Sequence, residues 1–201
     1  MLEFLFASSN AHKMHDFQQA FKDSPLRLKL ADVSLDIEES GKSFEENALI
    51  KAQAYYQKFK KPCMADDSGL VVEKLPEDLG IYSARFGGAD LTYLKRMQLL
   101  LEKMQNYTLV SERSAFFVCV LCFYLSPQEI FFFEGRLQGS IAFKPEGEFG
   151  FGYDPLFVPK DYAQGLTLAQ IPDWKNQYSH RAKASKEALQ FFCKKEIANI
   201  S

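Results

Sequence analysis

The sequence predicts an α/β fold: a mixed, twisted central sheet with flanking helices. Three observations carry that reading. Strand-like and helix-like segments alternate along the first third of the chain, a capping-box pattern opens a long helix at residue 43, and two long apolar runs meet at a short turn near residue 127.

"LEFLFAS" (2–8) reads as a strand, and "HKMHDFQQAFKD" (12–23) as an amphipathic helix with Phe17 and Phe21 four apart. "LRLKLADV" (26–33) alternates apolar and polar residues as a half-buried strand does. In "SFEE", Ser43 is placed at a helix N-cap and Glu46 at N3, so the next helix runs through "NALIKAQAYYQKF" and stops before Pro62. A short strand around 62–65 then leads to Asp66–Asp67 at its end. A third helix is expected over 91–105, two adjacent strands over 113–125 and 129–137, a Gly- and Pro-rich loop region over 144–165, and a last helix from about Ser179 to about Lys195. The apolar run Phe131–Phe133 predicts a second strand buried on both faces. No repeat, low-complexity tract or long linker breaks the 201 residues, which are read as one domain.

Composition excludes several classes of function. No window approaches the roughly 18 uninterrupted apolar residues of a membrane span, so no membrane partner is expected. The opening "MLEFLFASSNAHK" lacks the basic start of a secretory signal, and a cytoplasmic location is expected. A net charge of −2 argues against a broad nucleic-acid surface. Cys119 and Cys122 have C-x-x-C spacing but lie in "AFFVCVLCFYL", where positions three apart on a strand point to opposite faces. They are read as core cysteines that neither bind metal nor form a redox pair.

Five stretches place polar groups at element boundaries. "SSNAHK" (8–13) joins a strand to a helix, and its small residues, the helix N-terminus and Lys13 suit a phosphate, although an N-capped turn would look the same. In "DIEESGKSFEENALIKA", Glu38 and Glu39 precede a helix that carries Lys51 two turns in; an acidic loop and a solvated lysine would read alike. The adjacent carboxylates of "ADDSG" suit Mg²⁺, which prefers hard oxygen ligands, and one of them could orient or deprotonate a water. The alternative there is a turn or helix cap. "FGFGYDP" (149–155) sets Phe149, Phe151 and Tyr153 among glycines, where a ring face could stack on a purine or simply pack. "SHRAKA" puts His180 and Arg181 in a first helical turn, against the helix dipole, which calls for an anionic ligand or an acidic neighbour.

In order and spacing, "SSNAHK", "SFEENALIKA", "ADDSGL", "GIYSARFGG", "FEGRLQGSI", "GFGYDPLF" and "SHRAKA" resemble the inosine triphosphate pyrophosphatase family over nearly the whole chain. The resemblance implies two lobes around a long active-site cleft, a homodimer, and Mg²⁺-dependent hydrolysis of non-canonical purine nucleoside triphosphates (ITP, dITP, XTP) to the monophosphate and pyrophosphate. By the same resemblance, Asp67 is the catalytic carboxylate and a metal ligand, with Glu38 or Glu39 as its metal partner. Ser8, Ser9, Asn10, Ala11, His12, Lys13 and Lys51 would hold the triphosphate, with Ser68 beside it. Phe151, Gly152, Tyr153 and Asp154 would hold base and sugar, while Lys175, His180 and Arg181 close over the base. Where the family commonly has Thr-Gly-Asn this chain has Ser8-Ser9-Asn10, and His12 replaces the usual glycine before the lysine. The first loop must therefore suit residues that carry a Cβ. Three other readings share some of these features: a pyrophosphatase for modified pyrimidine or methylated nucleotides, a nucleotide sensor without hydrolysis, and a single-stranded RNA binder.

Overall fold

Six strands hydrogen-bond in the order β2-β1-β3-β4-β5-β6 in a computed structural model that describes the backbone of residues 2–198 and the side chains of residues 2–194. β1 (Leu2–Phe6) pairs in parallel with β2 (Leu26–Leu30) and with β3 (Cys63–Val72). The crossovers are helices α1 (Ala11–Ala20) and α2 (Phe44–Phe59). β4 (Ser114–Ser126) and β5 (Glu129–Ile141) are joined by two residues, a connection only antiparallel strands allow, and β5 pairs antiparallel with β6 (Phe157–Pro159). The sheet is mixed, with α3 (Tyr93–Lys103), α4 (Pro172–Tyr178) and α5 (His180–Ala198) completing the α/β fold. Among the described residues no helix is long and apolar enough to cross a membrane.

The start of α2 follows its sequence pattern, with one difference. Ser43 Oγ accepts the Glu46 N–H at 3.1 Å, while the Glu46 carboxylate accepts the N–H of Lys42, one residue earlier than a reciprocal capping box requires. Lys60 ends the helix at φ 53°, the only positive φ of a non-glycine residue among those described.

Three expectations need correction. β3 does not stop at residue 65; it runs ten residues through Asp66 and Asp67. Asp, Ser and Gly are poor strand formers, but lysines from two helices pair the carboxylates and the strand continues into the apolar "LVV". Phe131–Phe133 are only half-buried, and β4 is the strand buried on both faces. Finally, the loop region at 144–165 contains the three-residue β6. The last helix, α5, begins at His180 as expected, and the short α4 precedes it.

The chain divides into two units. Unit 1 takes the chain up to Asp67, then Cys119–Gly135, then the segment from Asn176 onward. Its core packs Phe4 and Phe6 of β1, Phe17 of α1, Met64 of β3, Phe123 of β4, and Ala184, Ala188 and Phe192 along one face of α5. Cys119 belongs to this layer, whereas Cys122 lies on the opposite face of β4, within electrostatic reach of Cys63 and Glu45. The two thiols diverge, buried and free, as the strand period requires. Unit 2 comprises Ser68–Val118 and Arg136–Lys175, around Leu70, Leu100, Leu137, Leu156 and Phe157. Buried Arg96 clamps the "RFGG" turn there, donating to the carbonyls of Phe86, Gly88 and Ala89. Ser83 of the same motif accepts the Leu70 N–H at 2.9 Å. "GIYSARFGG" thus has a structural role within unit 2.

Candidate active site

Alternation along β3 sends its two aspartates to opposite faces. Asp66 turns to the side of α1, where Lys13 Nζ lies 2.9 Å from Oδ2. Asp67 turns to α2, where Lys51 Nζ is 3.3 Å from Oδ1 and Asn47 Nδ2 is 3.2 Å from Oδ2. Each of the adjacent carboxylates therefore has its own lysine. Burial alone would raise the Asp66 pKa, but Lys13, Lys51 and Arg181 outweigh it and hold this carboxyl below its usual value. Asp67 goes the other way: burial, helped by the like charges of Glu39 and Asp66, pushes it up despite Lys51 and Lys13. Burial opposes the charge on Lys51, yet Asp67, Asp66 and Glu39 together raise its pKa.

The acidic loop contributes Glu39. Its Oε1 lies 2.5 Å from Lys51 Nζ, while Glu38 is exposed. Glu39 and Asp67 thus converge on one ammonium, and Asn47 and Lys51, four apart on α2, share the face that holds them. The sequence alone does not single out Asn47; its position one turn after the Ser43 cap and one turn before Lys51 is the available cue.

The first loop reaches the same cluster. Asn10 caps α1, its Oδ1 accepting the N–H groups of His12 (3.0 Å) and Lys13 (3.2 Å), and Asn10 N–H donates to Ser8 Oγ at 3.2 Å. Neither Ser9 nor His12 has a positive φ, so the loop accepts a Cβ where the family pattern has glycine. Ser9, Asn10, Ala11 and His12 are exposed. Ser8, Ser9, Lys13, Glu39, Lys51 and Tyr55 are among the residues that line a polar pocket of about 200 Å³ within unit 1. His180 and Arg181, also in unit 1, are buried at the start of α5, and Arg181 has the acidic neighbour its position calls for: Asp16 Oδ2 at 3.4 Å. Asp16 too was missed in the sequence, where it is simply one turn beyond Lys13.

Unit 2 holds a second cluster. Asp154, 3% exposed, accepts the Phe151 N–H and the Lys175 ammonium on the same oxygen, Oδ2, both at 2.8 Å. Gly150 and Gly152 adopt positive φ (79° and 68°), which lets the loop close on Asp154. Lys175 sits 4.8 Å from the Phe151 ring centroid, a cation–π contact. Phe149 is open at 61% exposure. Tyr153 is a core residue: its hydroxyl donates to the Ser83 carbonyl at 2.9 Å and Tyr93 packs edge-on against its ring, so it offers no free face for stacking. Lys175 falls in unit 2 and His180 and Arg181 in unit 1; Ser68, half-buried in β3, is the first residue of unit 2.

Mg²⁺ can be weighed against these donors. Among the described residues no group of three or more His, Cys, Asp and Glu is arranged to hold a metal. Two carboxylates meeting at one cationic centre, with Asp67 destabilised as an anion, nevertheless fit a Mg²⁺ that takes one or two protein carboxylates and fills its shell with phosphate oxygens and water.

The model of the Ham1 family matches residues 4–191. A dITP/XTP pyrophosphatase of Malacoplasma penetrans is 38% identical over 197 residues, covering 94% of this chain and 98% of that one. Another of that name, from Oceanobacillus iheyensis, is 38% identical over 189 residues, covering 92% and 94%. The structure of the Staphylococcus aureus Ham1 protein matches with a TM-score of 0.84 at 36% identity, over 96% of this chain and 99% of that one. The matched residues 4–191 take in both clusters, and the chain belongs to the Ham1 family.

Proposed function

We propose that this protein hydrolyses non-canonical purine nucleoside triphosphates (dITP, XTP and ITP) to the monophosphate and pyrophosphate. The observation that carries the reading is the polar pocket of unit 1, where Lys13 and Lys51 stand beside the first loop and the Glu39 and Asp67 carboxylates converge on Lys51. The pyrophosphatase names of relatives that match the chain end to end support it.

Chemically, the oxygen of a water forms a bond to the α-phosphorus as the bond from that phosphorus to the bridging oxygen of pyrophosphate breaks. Asp67 orients the water and accepts its proton, a role its raised pKa suits. Lys13, Lys51 and the loop from Ser8 to His12 hold the triphosphate and offset its charge, where most phosphoryl-transfer catalysis lies. Glu39 and Asp67 would hold Mg²⁺, which when bound neutralises charge on the phosphate oxygens. Base recognition is assigned to Phe151, Gly152 and Asp154 with Lys175, and to His180 and Arg181. The reading includes a homodimer in the cytoplasm.

With Mg²⁺ present, ITP, dITP and XTP should each give pyrophosphate and the monophosphate, with ATP and GTP turned over far more slowly and EDTA abolishing turnover. Ion-exchange chromatography of the products tests this; IDP and orthophosphate as primary products would overturn attack at the α-phosphorus.

A further inference from the structure

Asn47 is fully buried in the first turn of α2, and both ends of its amide are used. Oδ1 accepts the Gly41 N–H at 2.9 Å, and Nδ2 donates to Asp67 Oδ2 at 3.2 Å. Only this orientation works, because the reverse would set an amide oxygen against a carboxylate and an NH₂ against an N–H. Lys51 takes the other Asp67 oxygen and Glu39 Oε1. Gly41 is part of the same arrangement. A Cβ there would lie 2.6 Å from Asn47 Oδ1 and 2.9 Å from Asn47 N, so the loop that carries Glu39 closes on Asn47 only because residue 41 has no side chain.

We propose that Asn47 is a positioning residue, a strut that fixes the Glu39 loop and the Asp67 carboxylate relative to each other so that both serve one divalent cation. The proposal rests on the reading of Glu39 and Asp67 as the metal's ligands. A loop cap would account for the bond to Gly41 alone; the bond to Asp67 is what a cap has no need of. Outer-shell partners of this kind are worth roughly 10- to 100-fold in metal affinity.

The test is Mn²⁺ binding to the full chain without nucleotide, followed by electron paramagnetic resonance, for wild type, Asn47→Ala, Gly41→Ala and Asp67→Asn. Melting temperatures and ITP kinetics are measured alongside. Asn47→Ala and Gly41→Ala should each weaken Mn²⁺ binding about 10-fold or more and raise the half-saturating Mg²⁺ by a similar factor. KM for ITP at saturating metal should change by less than about threefold, because the loss lies in the metal and not in uniform substrate binding. Gly41→Ala, which leaves the Asn47 side chain in place, decides the matter if Asn47→Ala does not fold. Unchanged Mn²⁺ affinity in the folded variants, with loss in Asp67→Asn, overturns the strut and leaves the metal reading standing. Unchanged affinity in Asp67→Asn overturns the metal reading and the strut with it.

Discussion

Asp66 and Asp67 are neighbours in sequence with opposite environments. Asp66 has a lowered folded-state pKa, so its contribution to stability is complete above the unfolded aspartate value and is lost as pH falls through the folded one. Asp67 has a raised folded-state pKa, so its contribution is complete below the unfolded value and is lost as pH rises through the folded one. At pH 7 with EDTA, Asp66→Asn should destabilise, because it leaves the largely buried Lys13 ammonium without its carboxylate. The cost is about 3 kcal/mol, or roughly 6–12 °C in Tm for a chain of this size. Asp67→Asn should leave Tm unchanged or raise it, since Lys51 keeps Glu39 and the crowding of like charges is relieved. Calorimetry of the two variants checks this, and equal losses in both would contradict the division of roles. The motif was legible as chemistry, but the separate pairing of its carboxylates was not, because that depends on helices distant in sequence meeting the two faces of one strand.

Elements were legible where local chemistry sets them and misread where tertiary contacts do. Ser43 announced α2 because a hydroxyl N-cap satisfies helix N–H groups whatever the surroundings. β3 reads short in the sequence because "DDSG" has little strand propensity of its own, and β6 leaves no signal there because three residues carry no period. Gly135 is a further tertiary constraint. A Cβ on it would lie 2.1 Å from the His180 carbonyl oxygen and 2.4 Å from the Ala184 nitrogen, so β5 and α5 pack backbone to backbone there. Gly135→Ala should push the first turn of α5, with His180 and Arg181, off the strand at a cost of about 3 kcal/mol or more. Gly165→Ala is the comparison: φ there is 67° but nothing lies within 4 Å, so only the backbone penalty of about 1–2 kcal/mol applies. Urea titrations of the two should rank Gly135→Ala as clearly the more destabilised, and the opposite ranking would mean that α5 shifts at little cost.

At the scale of the whole molecule, a mixed α/β sheet was legible because alternation of periods needs no long-range information. The division into units was not readable from the residues, since unit 1 is assembled from three separate stretches of chain and unit 2 from two. β3, β4 and β5 each begin in one unit and end in the other, with boundaries after Asp67, Val118 and Gly135. Strands that cross without interruption tie the stability of the two units together. The sequence supplies a probe for each: the single tryptophan, Trp174, is half-buried in unit 2, and all four cysteines lie in unit 1. Three of those thiols are buried; burial pushes Cys63 and Cys122 up to about 12 and Cys119 higher still, so they stay unreactive until unit 1 opens. In a urea titration, Trp174 fluorescence and the exposure of these three thiols to a disulfide reagent should give the same midpoint, as an all-or-none transition requires. Thiol exposure at lower urea, with the fluorescence still native, would show that unit 1 unfolds by itself and that the shared strands break at the boundaries.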